Sequence, residues 1–102
     1  MTKQPYNKLV RDNIPDQLRA KDISFEERIA GDEEYKTELI KKLSEELAEF
    51  QSDESIEELA DLQEVINALK QLPEYATLEE VRLAKLVDKG GFAKKIILKG
   101  EK

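Results

Sequence analysis

The chain has 102 residues, 39% of them charged and 39% hydrophobic, and its 23 acids outnumber 17 Lys and Arg to give a net charge of −6. It contains neither cysteine nor histidine, which excludes disulfide scaffolds, thiolate and imidazole metal sites, thiol nucleophiles and Ser-His-Asp chemistry. The length fits one domain over residues 1–102, with a thin core that favours oligomerisation. The acidic balance argues against a nucleic-acid polymer as partner. No apolar run approaches a membrane span and no signal-peptide pattern opens the chain, so the expectation is a cytoplasmic protein.

In chain order, Pro5 and Pro15 bracket an opening segment, Tyr6 to Ile14, and Asp12 or Asn13 is placed to cap a short helix running from about Pro15 to Ala20. Ile23, Phe25 and Ile29 partly alternate, as in a short strand ended by Gly31. Asp32 is placed to cap a long helix whose stripe is Tyr35, Leu39, Ile40, Leu43, Leu47 and Phe50, with a break at Ser52-Asp53. A second long helix is predicted from about Glu54 to Leu72, with Ile56, Leu59, Leu62, Val65, Ile66 and Leu69 as its stripe and Pro73 as its stop. Thr77 opens a third helix in capping-box form, and Gly90-Gly91 close it. The run Lys95 to Lys99 has strand character, and with the Phe25 segment it would make a two-stranded ribbon.

The two long helices carry similar acidic motifs, Glu45-Glu46-Leu47-Ala48-Glu49 and Glu57-Glu58-Leu59-Ala60-Asp61. A spacing of three puts Glu46 with Glu49, and Glu58 with Asp61, on neighbouring positions of one helix face. Measured from Leu43, Glu46 lies about 60° and Glu49 about 120° off the stripe centre; measured from Leu62, Glu58 lies about 40° and Asp61 about 100° off. Many acidic helix repeats are simply solvated or paired with lysine. Glu58 fits that poorly, because a carboxylate inside an apolar stripe is costly unless a cation compensates it. Either a buried pair with Arg82 or Lys85, or a hard divalent ion such as Mg²⁺ or Mn²⁺, would do so. Glu45 lies on the far side of its helix, where geometry alone makes it an exposed glutamate. Glu64 reads as solvated and Asn67 as a surface polar residue.

A carboxylate-bound Mg²⁺ with no other catalytic residue type suggests phosphate chemistry. The cations available for phosphates are Lys8 and Arg11 in the opening segment, Arg82, Lys85 and Lys89 on the third helix, and Lys94 and Lys95 after it. Each taken singly also reads as a solubilising surface residue.

Together these residues resemble a known superfamily. The pattern E-E-x-x-E on one helix and E-x-x-D on the next is similar to the signature of the all-α nucleoside triphosphate pyrophosphohydrolases, which include MazG, the dimeric dUTPases and phosphoribosyl-ATP pyrophosphohydrolase. The run Lys8-Leu9-Val10-Arg11-Asp12-Asn13-Ile14-Pro15, with Lys89-Gly90-Gly91-Phe92 followed by Ile96-Ile97-Leu98, resembles a small MazG-like, phosphoribosyl-ATP-pyrophosphohydrolase-like branch. The resemblance implies a mainly α helical bundle that assembles as a homodimer or homotetramer. It implies Mg²⁺ held by Glu46, Glu49, Glu58 and Asp61, with Glu45 orienting or deprotonating the water and Lys85 and Lys89 near the phosphates. It implies cleavage of a nucleotide between the α and β phosphates to a monophosphate and pyrophosphate. Phosphoribosyl-ATP is the alternative substrate, and a non-catalytic helical interaction module is the alternative of another class.

Overall fold

A computed structural model describes residues 7–101; Pro5 and Tyr6, at the start of the opening segment, lie outside them. The protein is mainly α, with four helices among the described residues: α1 (Ile14–Ala20), α2 (Asp32–Asp53), α3 (Ile56–Lys70) and α4 (Leu78–Lys89), plus a 3-10 turn over Pro73–Tyr75. The backbone groups into two compact units, divided between Leu69 and Lys70. No helix among the described residues is long and apolar enough to cross a membrane.

In the first unit, Pro15 pre-sets the backbone of the first turn of α1. Asn13 occupies the cap position, but it is itself near-helical (φ −91°, ψ −2°) and its side chain makes no cap bond. The expected cap is therefore right in place and absent in chemistry. The segment after α1 is irregular, and no strand occurs among the described residues. The expected ribbon does not form in either segment proposed for it. Ile29 is 95% exposed, so the alternation of residues 23–29 has no buried face to reward. Arg19 ties this stretch down instead, pairing with Asp16 and Glu27 while its guanidinium lies 5.1 Å from the Phe25 ring centre.

Gly31, not Asp32, is the N-cap of α2, with extended backbone and no side-chain bond. Asp32, Glu33 and Glu34 fill the first turn, where carboxylates complement the helix dipole. The helix ends when Glu54 turns left-handed (φ 52°) and its N–H bonds to the carbonyl of Phe50. Ser55 then caps α3: its Oγ accepts the N–H of Glu58 at 3.2 Å. The second long helix thus starts at Ile56 rather than Glu54 and stops at Lys70 rather than Leu72.

Among the described residues, the buried hydrophobic ones are Leu39 on α2 and Val65 on α3, and Glu46 is as buried as Val65. The apolar stripes are wider than the face that is covered. Relative to Leu43, Leu39 and Glu46 lie about 40° and 60° to one side, while Ile40 and Leu47 lie as far to the other and are roughly half exposed. Leu59 on α3 is also half exposed.

In the second unit, Leu72 is extended before Pro73, as the proline ring requires. Thr77 precedes α4, but its hydroxyl makes no cap bond, so the expected capping box stays open. Glu79 pairs with Arg82 instead, and lies 3.9 Å from Lys70. Gly90, at φ 80°, ends α4 with its N–H on the carbonyl of Leu86. No residue of α4 is buried. Beyond it, Phe92, Ile97 and Leu98 are almost fully exposed.

Candidate metal centre

The acidic motifs meet inside the first unit. Glu46 interacts with Asp61, and Glu49 with Glu58. Later positions on α2 thus meet earlier ones on α3, so the helices run antiparallel across the two-residue Glu54–Ser55 connection. Glu46, Glu58 and Asp61 each offer an oxygen within 4.8 Å of the others. That is close to the span of two metal–oxygen bonds of about 2.1 Å each, the Mg²⁺ distance.

Glu46 is 8% exposed. Its Oε2, and Oε2 of Glu58, are buried without a hydrogen-bond partner. Burial pushes the Glu46 carboxyl above its ordinary value, and the charges of Glu49 and Asp61 push it further, while Lys42 opposes them. Burial also raises Glu58, reinforced by Glu49, Asp61 and Asp53. Both groups favour a proton or a cation over standing as bare anions. Of the two basic residues considered as partners for Glu58, Arg82 pairs with Glu79 inside the second unit and Lys85 is exposed there.

Glu49 is exposed and stands beside the trio, close enough for its charge to act on Glu46 and Glu58. Glu45 is outside it. Its Oε1 lies 3.2 Å from Lys8 Nζ and 3.7 Å from Lys42 Nζ. Partial burial would raise the Glu45 carboxyl, but the Lys8 hydrogen bond and the charges of Lys42 and Lys8 outweigh it and hold the group below its ordinary value. Glu45 is therefore held ionised by its two lysine neighbours.

Lys8 and Arg11 do not stand free for a ligand. Lys8 is on Glu45, and Nη2 of Arg11 lies 2.8 Å from Oδ1 of Asp61. Lys42 is the residue that sequence reasoning missed. It lies 3.8 Å from Oε1 of Glu46 as well as near Glu45, and its spacing of three and four from those acids was the available signal. Five carboxylates (Glu45, Glu46, Glu49, Glu58, Asp61) face three cations (Lys8, Arg11, Lys42). Fully ionised, the cluster carries two excess negative charges, which one divalent ion would neutralise. The donor set is all oxygen, as a hard cation requires.

A groove of about 490 Å³ opens beside the cluster. Leu9 to Ile14 form one wall, and Tyr35, Leu39, Glu46, Asp61 and Val65 line the rest. Glu64 is on its rim and exposed, as expected, and Asn67 accepts a surface hydrogen bond from Gln63. Lys85 and Lys89 belong to α4 in the second unit. Both are exposed, and Lys89 lies 3.7 Å from Asp88. Compared with known protein families, curated proteins and solved structures, the chain gives no match.

Proposed function

We propose that this protein is a Mg²⁺-dependent nucleotide pyrophosphohydrolase, cleaving a nucleoside triphosphate or related nucleotide between the α and β phosphates. One observation carries the reading: three carboxylates from two helices converge at ligand spacing, and two of their buried oxygens lack any partner. A solvated acidic face does not leave such oxygens. The resemblance of the motifs supplies the reaction class.

In this reading Glu46, Glu58 and Asp61 hold the ion, with Glu49 beside them. The bound ion supplies Lewis acidity toward phosphate oxygens and a water of lowered pKa. Glu45, kept ionised, positions Lys8 and Lys42 next to the cluster. Lys42 keeps local charge in balance before the ion arrives. Lys85 and Lys89 remain substrate candidates through the resemblance. The half-covered stripes of α2 and α3, with Ile40, Leu47 and Leu59 on their open side, support assembly as a homodimer or homotetramer. The absence of cysteine accords with a cytoplasmic setting.

The test is pyrophosphate release from a panel of NTPs and dNTPs with Mg²⁺ or Mn²⁺. The expected result is metal-dependent release from at least one nucleotide, lost in Glu58→Gln. No release from any of them at high enzyme concentration would overturn the reaction, and no metal binding would favour a non-catalytic module.

A further inference from the structure

We propose that Arg11 is the exchangeable resident cation of the acidic cluster: a divalent ion displaces it from Asp61, and the freed guanidinium then binds the phosphates of the substrate. The inference rests on the metal-centre reading above and assigns the opening segment a part in it.

Three observations lead to it. The Arg11–Asp61 pair joins residues fifty apart in sequence, at 2.8 Å, with both side chains about half exposed. Breaking it needs no unpacking of the core, and exposed pairs of this kind are weak. Second, Arg11 does only part of what the cluster requires. It satisfies one oxygen of Asp61 and leaves Oε2 of Glu46 and Oε2 of Glu58 without partners. All three carboxylates could hold one divalent ion between them, and that ion would repel a guanidinium on the same carboxylate. Third, Arg11 has somewhere to go. It sits on irregular backbone ahead of α1 and lines the same groove as Glu46 and Asp61.

Lys42 contrasts with it. That side chain is mostly buried and springs from the middle of α2, so it stays while Arg11 leaves. A planar guanidinium fork pairs with phosphate through two parallel hydrogen bonds, which an ammonium cannot reproduce. Ion entry would therefore convert Arg11 from a counter-ion into a phosphate ligand, making phosphate binding depend on prior metal loading. By linkage, whatever Arg11 costs the ion in affinity, the ion costs the Arg11–Asp61 pair.

The experiment is calorimetric titration of the full chain with Mn²⁺ alone, then with inorganic pyrophosphate at saturating Mn²⁺, for wild type, Arg11→Gln, Arg11→Lys and Glu58→Gln. Circular dichroism checks the fold of each. Arg11→Gln should bind Mn²⁺ roughly threefold to fivefold tighter than wild type and pyrophosphate roughly tenfold more weakly. Arg11→Lys should keep near-wild-type Mn²⁺ affinity and still lose pyrophosphate affinity, so it decides the matter if Arg11→Gln fails to fold. Unchanged or weaker Mn²⁺ binding in Arg11→Gln, or undiminished pyrophosphate binding in Arg11→Lys, would overturn the exchange. The metal centre itself would still stand, provided wild type binds Mn²⁺ and Glu58→Gln does not. Absence of Mn²⁺ binding by wild type would remove both.

Discussion

The two compact units differ in charge and in what they bury. Residues 1–69 carry 18 acids against nine Lys and Arg, a balance of −9, whereas residues 70–102 carry five acids against eight, a balance of +3. The first unit holds the buried hydrophobic residues Leu39 and Val65 and the clustered carboxylates. The second has an amphipathic helix with no buried residue, followed by an apolar run open to solvent. Carboxylates are therefore desolvated where there is enough packing to cover them. The second unit presents apolar and basic surface instead.

The largest expected effect lies in the first unit. Glu58→Ala should lower Mn²⁺ affinity by more than about a hundredfold, measured by calorimetry; retained affinity would mean that the acids of α2 and α3 are not the metal centre. Next comes packing. Leu39→Ala should cost about 3 kcal/mol in urea unfolding, whereas Ile97→Ser should change stability by less than ~0.5 kcal/mol in dilute solution. A concentration-dependent loss in Ile97→Ser would show that the tail is covered by another copy, and would erase the contrast between the units.

A smaller effect is set by pH. The Glu46 and Glu58 carboxyls are raised above their ordinary 4.5 in the folded protein. They therefore bind more protons folded than unfolded, and stability falls as pH rises from 4.5 through their raised values. The metal-free protein should become more heat-stable as pH drops from neutrality toward 4.5. With saturating Mn²⁺ the trend should reverse, because protons then compete with the ion. Glu34, Glu45 and Glu79, held low by basic neighbours, act in the opposite sense and only below 4.5. A metal-free melting temperature that declines steadily from neutrality toward pH 4.5 would contradict this electrostatic picture. Smaller again, Ser55→Ala should cost ~1 kcal/mol through loss of the cap on α3.

Much of the first unit is legible in the sequence. Helical spacing of Leu and Ile finds α2 and α3, and the turn residues place their ends within two or three positions. Glu46, Glu58 and Asp61 follow from spacing plus angle. The direction of the buried face does not. Ile40 and Leu47 are as apolar as Leu39, and only the other helix decides that Glu46 is covered while they are half open. The destination of Arg11 and Lys8 is equally hidden, because ion pairs across tens of residues leave no local periodicity. Asn13 and Thr77 stand at the cap positions without bonding, Gly31 takes the place expected of Asp32, and Ser55 caps α3, because residue type marks where a cap belongs without fixing the backbone angles that let its side chain bond.

The Glu54–Ser55 connection has a consequence for how this chain can vary. One residue inserted there would rotate α3 by about 100° and advance it by about 1.5 Å. That would carry Glu58 and Asp61 around the helix axis, away from Glu46, and bring Leu62 or Leu59 toward the orphaned oxygens. This two-residue spacer thus works as a fixed gauge that sets which side chains of one rod confront those of the other.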